Sequence, residues 1–145
     1  MLLQKFPAQE FTATTKLTFD ARFDKEEVGL IVMGIDYGRL TVKRENGKLN
    51  LSVATCKSAD KGTAEDIVSG PELASNQMYF RVSVKKGAEC QFSYSTDGNT
   101  FANVGNAFKA REGRWIGAKV GFYALREGVI NDAGSADIDW FRIEK

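Results

Sequence analysis

The sequence contains no histidine, two cysteines and two prolines. Without histidine there is no serine or cysteine hydrolase built on an imidazole base. Histidine-ligated zinc and imidazole proton shuttles are excluded for the same reason. Cys56 and Cys90 are too few for a disulfide framework, and leave either one bridge or two free thiols. No stretch approaches ~18 uninterrupted apolar residues, so a membrane span is excluded. Neither sign of charge dominates: 20 basic residues against 19 acidic ones leave +1, which speaks against a nucleic-acid partner. Met1-Leu2-Leu3-Gln4-Lys5 lacks the apolar run and small-residue cleavage site of a secretory signal. No glycine loop for phosphate is present either, because residues 28–34 are too apolar and lack a strand-then-helix setting.

What remains is 145 residues that are 43% hydrophobic and 27% charged, the composition of an ordinary soluble globular chain. That length fits a single domain over residues 1–145, able to bury roughly two-thirds of its unfolded surface. No linker, low-complexity stretch or tandem repeat interrupts it.

The periodicity is that of strands. Residues 16–23 alternate, placing Leu17, Phe19, Ala21 and Phe23 on one face. Residues 28–35 form a nearly continuous apolar run, as in a more buried strand. Residues 39–44 alternate again, Asn46-Gly47 signals a tight hairpin, and residues 48–53 return, so that Leu49, Leu51 and Val53 share a face with Leu40 and Val42. Residues 63–69 read as a short edge strand, with a single helical turn as the alternative, and Gly70-Pro71 ends it. Strands over 79–85 and 90–95 follow, turned by Lys86-Gly87, and Asp97-Gly98 closes a further hairpin. Residues 115–124 and 136–143 are the last two strands. No stretch of about 10 to 12 residues holds a capped 3.6-residue apolar period. The expected fold is therefore all-β, a two-sheet antiparallel β-sandwich or a barrel.

The strand over 115–124 carries the clearest chemical signal. Ile116, Ala118, Val120 and Phe122 form a plain core face. The other face presents Trp115, Lys119 and Tyr123, with Gly117 and Gly121 clearing space between them. Glycine inside a strand weakens it unless something must approach closely. A sugar ring is such an object, because its C–H face stacks on aromatics and its hydroxyls exchange hydrogen bonds. Two more polar–aromatic faces are Tyr79, Arg81, Ser83 and Lys85, and Tyr37, Arg39, Thr41 and Lys43. Were these strands neighbours, they would make one shallow surface suited to a neutral, hydroxyl-rich ligand. The alternative is that these are merely the solvated outer faces of antiparallel sheets. The loop over 126–134, with Asn131 at the rim, can shape one end of the surface.

Carboxylates are the other candidate. A glycosidase needs two at a fixed separation. Asp137 and Asp139 lie two apart on one strand, hence on one face about 7 Å apart. They can be read as a catalytic pair or as calcium ligands, joined by Asp24, Glu26, Glu27 or Asp132. Scattered surface acids are the plainer reading, and none has the hydrophobic setting that raises a general acid's pKa.

Six stretches, residues 4–8, 11–17, 29–37, 90–98, 113–121 and 136–143, together resemble the concanavalin A-like C-terminal domain of glycoside hydrolase family 43 β-xylosidases and α-L-arabinofuranosidases. The likeness covers essentially the whole chain. It implies a jelly-roll β-sandwich of two antiparallel sheets, non-catalytic, accessory to a β-propeller that holds the catalytic carboxylates and has no counterpart in this sequence. It implies a bacterial protein acting outside the cytoplasm, in the extracellular space or periplasm. It also implies that the strand matching Trp115 to Gly121 can project a side chain toward the sugar site; where some relatives carry an aromatic, this sequence has Lys119. The expected function is that of a carbohydrate-binding module for xylan or xylo-oligosaccharides, with Trp115, Tyr37 and Tyr79 as stacking platforms. Arg39, Arg81 and Lys119 would bond hydroxyls, and Tyr123 and Asn131 would stand at the rim. The alternative is a structural domain that docks on the propeller and completes its active site. No cofactor is expected beyond a structural calcium.

Overall fold

The described residues build the strands β1 (Leu2–Lys5), β2 (Phe11–Asp20), β3 (Glu26–Met33), β4 (Tyr37–Glu45), β5 (Lys48–Cys56), β6 (Asp66–Leu73), β7 (Gln77–Lys85), β8 (Glu89–Ser95), β9 (Ala102–Asn103), β10 (Phe108–Lys109), β11 (Lys119–Arg126) and β12 (Ser135–Glu144), with a 3-10 turn at Ala59–Lys61. These come from a computed structural model, which describes residues 1–113, 117–128 and 132–145. All ladders are antiparallel. One sheet, here sheet A, runs β1-β11-β3-β4-β5-β6; the other, sheet B, runs β10-β8-β7-β2-β12, with β9 beside β8. The expected two-sheet sandwich is therefore present. Its jelly-roll crossings are visible in β11 sitting between β1 and β3, and in β2 sitting between β7 and β12.

Local chemistry sets the turns. Asn46 and Gly47 both take positive φ, 51° and 76°, as a type I′ hairpin requires, and so fix the β4–β5 register. That register brings Leu40 opposite Val53 and Val42 opposite Leu51, the pairing the alternation predicts. Gly87, φ 83°, and Ala88, φ 60°, turn β7 into β8.

The core lies between the sheets. Leu30, Val32, Leu40, Val42, Leu51 and Val53 come from sheet A; Leu17, Met78, Phe80, Val82 and Phe92 come from sheet B; all are fully buried. Phe122 and Phe141 meet edge-to-face at 5.0 Å and link the two layers. Cys56 and Cys90 are both free and buried, and burial pushes the Cys90 thiol up to about 12, so it is a core side chain and not a nucleophile.

Several boundaries differ from expectation, each for a tertiary reason. β2 ends at Asp20, so Ala21 and Phe23 leave the strand and Phe23 is 42% exposed. The chain turns there because the Glu26 carboxylate gathers the Arg22 and Phe23 backbone N–H groups at 2.7 and 3.3 Å. β6 starts later than expected and runs through Gly70-Pro71 instead of stopping there. Proline is tolerated because β6 is an edge strand with a register shift between Asn50 and Ser52 opposite it. The strand expected over 115–124 is observed as Lys119–Arg126, and part of it, including Trp115, lies outside the described residues.

The most consequential difference is in β12. Its register shifts between Ile138 and Trp140. The extra residue, Asp139, reverses the sidedness of the rest of the strand. Ala136 is core-facing before the bulge; Phe141 and Ile143 are core-facing after it. Trp140 therefore sits opposite Lys16 on the outer face of sheet B, away from the core side taken by Ala136.

Glu26 ties β3 to the entry of β12, because its second oxygen accepts the Gly134 N–H at 3.0 Å and Arg126 lies 3.8 Å away. Burial alone pushes this carboxyl up. The N–H groups of Gly134, Arg22 and Phe23 and the charge of Arg126 outweigh that and hold it below the usual glutamate range. A lowered folded pKa gives stability that is present above the unfolded value and lost as pH falls through the folded one. Glu26→Gln should cost about 1–3 kcal/mol at pH 7, and should flatten the acid side of the stability curve below the ordinary glutamate pKa. Urea titrations of both proteins across that range check it.

Candidate functional site

Because side chains alternate, the two sheets offer two outer faces, and the expected site residues divide between them. Tyr37, Arg39, Thr41 and Lys43 on β4 share the outer face of sheet A with Lys119 and Tyr123 on β11. Tyr79, Arg81, Ser83 and Lys85 lie on β7 in sheet B. The single surface imagined from sequence does not form, because β4 and β7 belong to opposite layers. Trp115 and Asn131 fall outside the described residues.

On sheet A the cross-strand rows set the geometry. Gly121, Ile31, Arg39, Ala54 and Ile67 form one row; Tyr123, Gly29, Thr41, Ser52 and Ser69 form the next. Arg39 binds Glu65 side-on, through Nε at 2.8 Å and Nη2 at 2.7 Å. Its Nη1 reaches Glu27 at 2.6 Å and the Tyr123 hydroxyl at 2.9 Å. Tyr37 donates its hydroxyl to Glu65 at 2.8 Å, and Thr41 and Tyr123 share a short hydrogen bond. The network is largely withdrawn from water: Tyr123 is 4% exposed and the Arg39 side chain 18%. The Tyr123 ring lies over Gly29, where an added methyl group would fall 2.7 Å from its Cε1. Glycine there makes room for a tyrosine of this chain rather than for a ligand. Gly121 likewise faces the backbone of Leu2 and Leu3 on β1, whereas Gly117 has open space beside it.

The electrostatics follow from this closure. The hydrogen bonds from Arg39 hold Glu65 below the usual carboxylate range despite burial. Burial, then Glu65, push the Tyr37 phenol well up. Burial raises the Tyr123 phenol to about 12, against the bonds from Thr41 and Arg39. Glu27 and Glu65 flank Arg39 as two carboxylates, but Glu65 is shifted in the wrong direction for a proton donor. Sequence reasoning placed Glu27 only among calcium candidates and missed Glu65. No short-range signal marked it, because Arg39 reads as an outer-face cation and Glu65 lies 26 positions away in the chain.

Lys119 borders a cleft of about 290 Å³ with Gly34, Ile35, Asp60, Gly113 and Gly117. Tyr37 borders a larger one of about 480 Å³ at the sandwich margin, beside Lys57, Asp66, Asn106 and Phe108. Asp139, a calcium candidate, pairs with Lys16 at 2.8 Å, while Asp137 is exposed. Asp24 pairs with Arg44 and Asp132 with Arg126. Among the described residues no three His, Cys, Asp or Glu side chains gather as a metal site.

On sheet B, Arg81 stacks over Phe101, Cζ 3.5 Å from the ring centroid, and its Nε donates to the Thr14 hydroxyl at 3.0 Å. Tyr79 lies against Gly98 on one side and near Trp140 on the other, ring centroids 6.2 Å apart.

Comparison with known proteins locates this arrangement. Residues 1–144 match the family described as the Beta xylosidase C-terminal Concanavalin A-like domain. The chain is similar to the GH43 BlXynB protein from Bacillus licheniformis, with 19% identity and TM-score 0.81, over 97% of this chain and 28% of that one. It is similar to a bifunctional GH43-CE protein from Bacteroides eggerthii, with 21% identity and TM-score 0.82, over 98% and 18%. It is similar to a xylan beta-1,4-xylosidase from Bacillus halodurans C-125, with 18% identity and TM-score 0.79, over 99% and 29%. It thus spans less than a third of each of these proteins, and at such identities the likeness is one of fold. No curated protein matches.

Arg39→Ala should destabilise the fold by about 3–5 kcal/mol, because it strands Glu27 and Glu65 without their cation. Adding Glu65→Gln to that variant should restore part of the loss. A double-mutant cycle by chemical denaturation measures the coupling.

Proposed function

Because this chain belongs to the family of β-xylosidase C-terminal concanavalin A-like domains, we propose that it is the non-catalytic accessory domain of a family 43 glycoside hydrolase, of β-xylosidase or α-L-arabinofuranosidase type. In this reading it docks through the outer face of sheet A on the catalytic β-propeller and completes that enzyme's active-site end.

The observation that carries the reading is the saturation of that face. Every nitrogen of the Arg39 guanidinium is already bonded within the chain, and Tyr37, Thr41 and Tyr123 are bonded to the same cluster. Few donors remain for sugar hydroxyls. The large hydrophobic side chains left open on this face are aliphatic: Ile67 at 60% and Leu125 at 59% exposure. They stand at opposite margins, on β6 and β11. Aliphatic groups around a rigid, internally paired centre suit a protein partner better than a pyranose, which prefers an aromatic plane. Lys119 and its cleft lie at one end of the same face, where a side chain can point past the sheet toward a neighbouring domain.

The other reading is a free-standing xylan-binding module using Trp115, Tyr37, Tyr79, Arg39, Arg81, Lys119, Tyr123 and Asn131 together. It draws less support, since Tyr123 is buried, Arg39 is engaged, and Tyr79 and Arg81 belong to the opposite face.

The test is reconstitution. The chain and the catalytic domain of its parent enzyme, produced separately, should co-purify as a complex. The double variant Ile67→Asp/Leu125→Asp should weaken it by about 3 kcal/mol or more, roughly a hundredfold. An unchanged affinity would refute docking through sheet A.

A further inference from the structure

We propose that the outer face of sheet B, on the opposite side from the docking face, is a binding platform for an acidic oligosaccharide, a pyranose chain bearing a uronate. The residues that make it are Trp140, Tyr79, Arg81 and Arg142.

The bulge at Asp139 creates the platform. It turns Trp140 outward, opposite Lys16, and Lys16 in turn pairs with Tyr79 across β2. The two aromatics are thus two strands apart, roughly 10 Å by backbone spacing, yet their ring centroids come within 6.2 Å at an angle of 50°. They lean toward each other, each partly exposed; Gly98 lies against one side of the Tyr79 ring and Arg142 over the Trp140 ring, which leaves the remaining inclined ring edges open. Inclined rings of this kind accept the C–H faces of successive sugars in a twisted chain.

The adjacent row supplies charge. Arg142, Thr14 and Arg81 lie side by side on β12, β2 and β7. Arg142 sits over the Trp140 ring, Cζ 4.5 Å from its centroid, and Arg81 over Phe101 at 3.5 Å. Contact with an aromatic ring restrains both guanidiniums and orders them in advance. Among the described residues neither arginine forms an ion pair. Asp139 is taken by Lys16, and the remaining carboxylates of β12 on this side, Asp137 and Glu144, stand toward its two ends. Two unpaired guanidiniums spaced across one threonine fit a carboxylate substituent, which accepts charge-assisted hydrogen bonds from either. Thr12 and Ser83 continue the face with neutral donors and acceptors.

This inference does not rest on docking through sheet A, and the experiment separates the two. The 145-residue chain is titrated by calorimetry with a xylo-oligosaccharide carrying one glucuronic acid and with the same oligosaccharide lacking it. The acidic sugar should bind about tenfold more tightly, the worth of one charge-assisted contact. Arg81→Gln/Arg142→Gln should abolish that preference, and Trp140→Ala should weaken both sugars at least tenfold. Trp140→Leu, which keeps apolar volume, serves where Trp140→Ala fails to fold. No heat at millimolar sugar, equal affinity for the two sugars, or full affinity in a natively melting Trp140 variant would each overturn the proposal. The variants Ile67→Asp and Leu125→Asp should leave sugar binding untouched.

Discussion

The arrangement of sheet A depends on one guanidinium. Arg39 sits at its centre and is the shared partner of Glu27 from β3, Tyr123 from β11 and Glu65 from the segment before β6. Removing water from two carboxylates would be costly without a cation held in fixed geometry between them. With it, the cost is offset and three separate parts of the chain are fixed relative to β4. The consequence reaches function. A face that looks, residue by residue, like a polar ligand surface is in fact an internally completed layer, and its open margins are aliphatic.

The sandwich therefore has two outer faces of different character. Sheet A presents a closed polar centre with exposed Ile67 and Leu125. Sheet B presents inclined aromatics and arginines that have no carboxylate partner among the described residues. In the proposed reading one surface sits on an enzyme and the other meets a polysaccharide, and a two-layer sandwich supplies two such surfaces pointing apart without any change of fold. The single inserted residue at Asp139 divides the roles on β12. It lets one strand send Phe141 and Ile143 inward and Trp140 and Arg142 outward.

Much of the fold was legible because it rests on short-range rules. Alternation located most of the strands, Asn46-Gly47 fixed a hairpin and its register, and the lack of helical periodicity fixed the class. Strand edges were less legible. β2 stops at Asp20 because the carboxylate of Glu26 collects the backbone N–H groups of Arg22 and Phe23 just beyond it, and β6 continues through Pro71 because it lies at an edge. The candidate site was the least legible. Tyr37, Arg39 and Tyr123 were correctly placed on polar faces, but whether their groups face a ligand or one another depends on Glu65, which is 26 positions from Arg39.

The sequence by itself determined the period-two pattern, the turns, the absence of imidazole chemistry and the family likeness, since each depends on residue types at near spacing. Tertiary structure alone decided which strands became neighbours, and so put β4 and β7 in opposite layers. It alone decided that Tyr123 fills the space over Gly29 and that a bulge turns Trp140 outward. Those outcomes follow from pairing between distant segments, where a one-residue shift in register exchanges inside for outside.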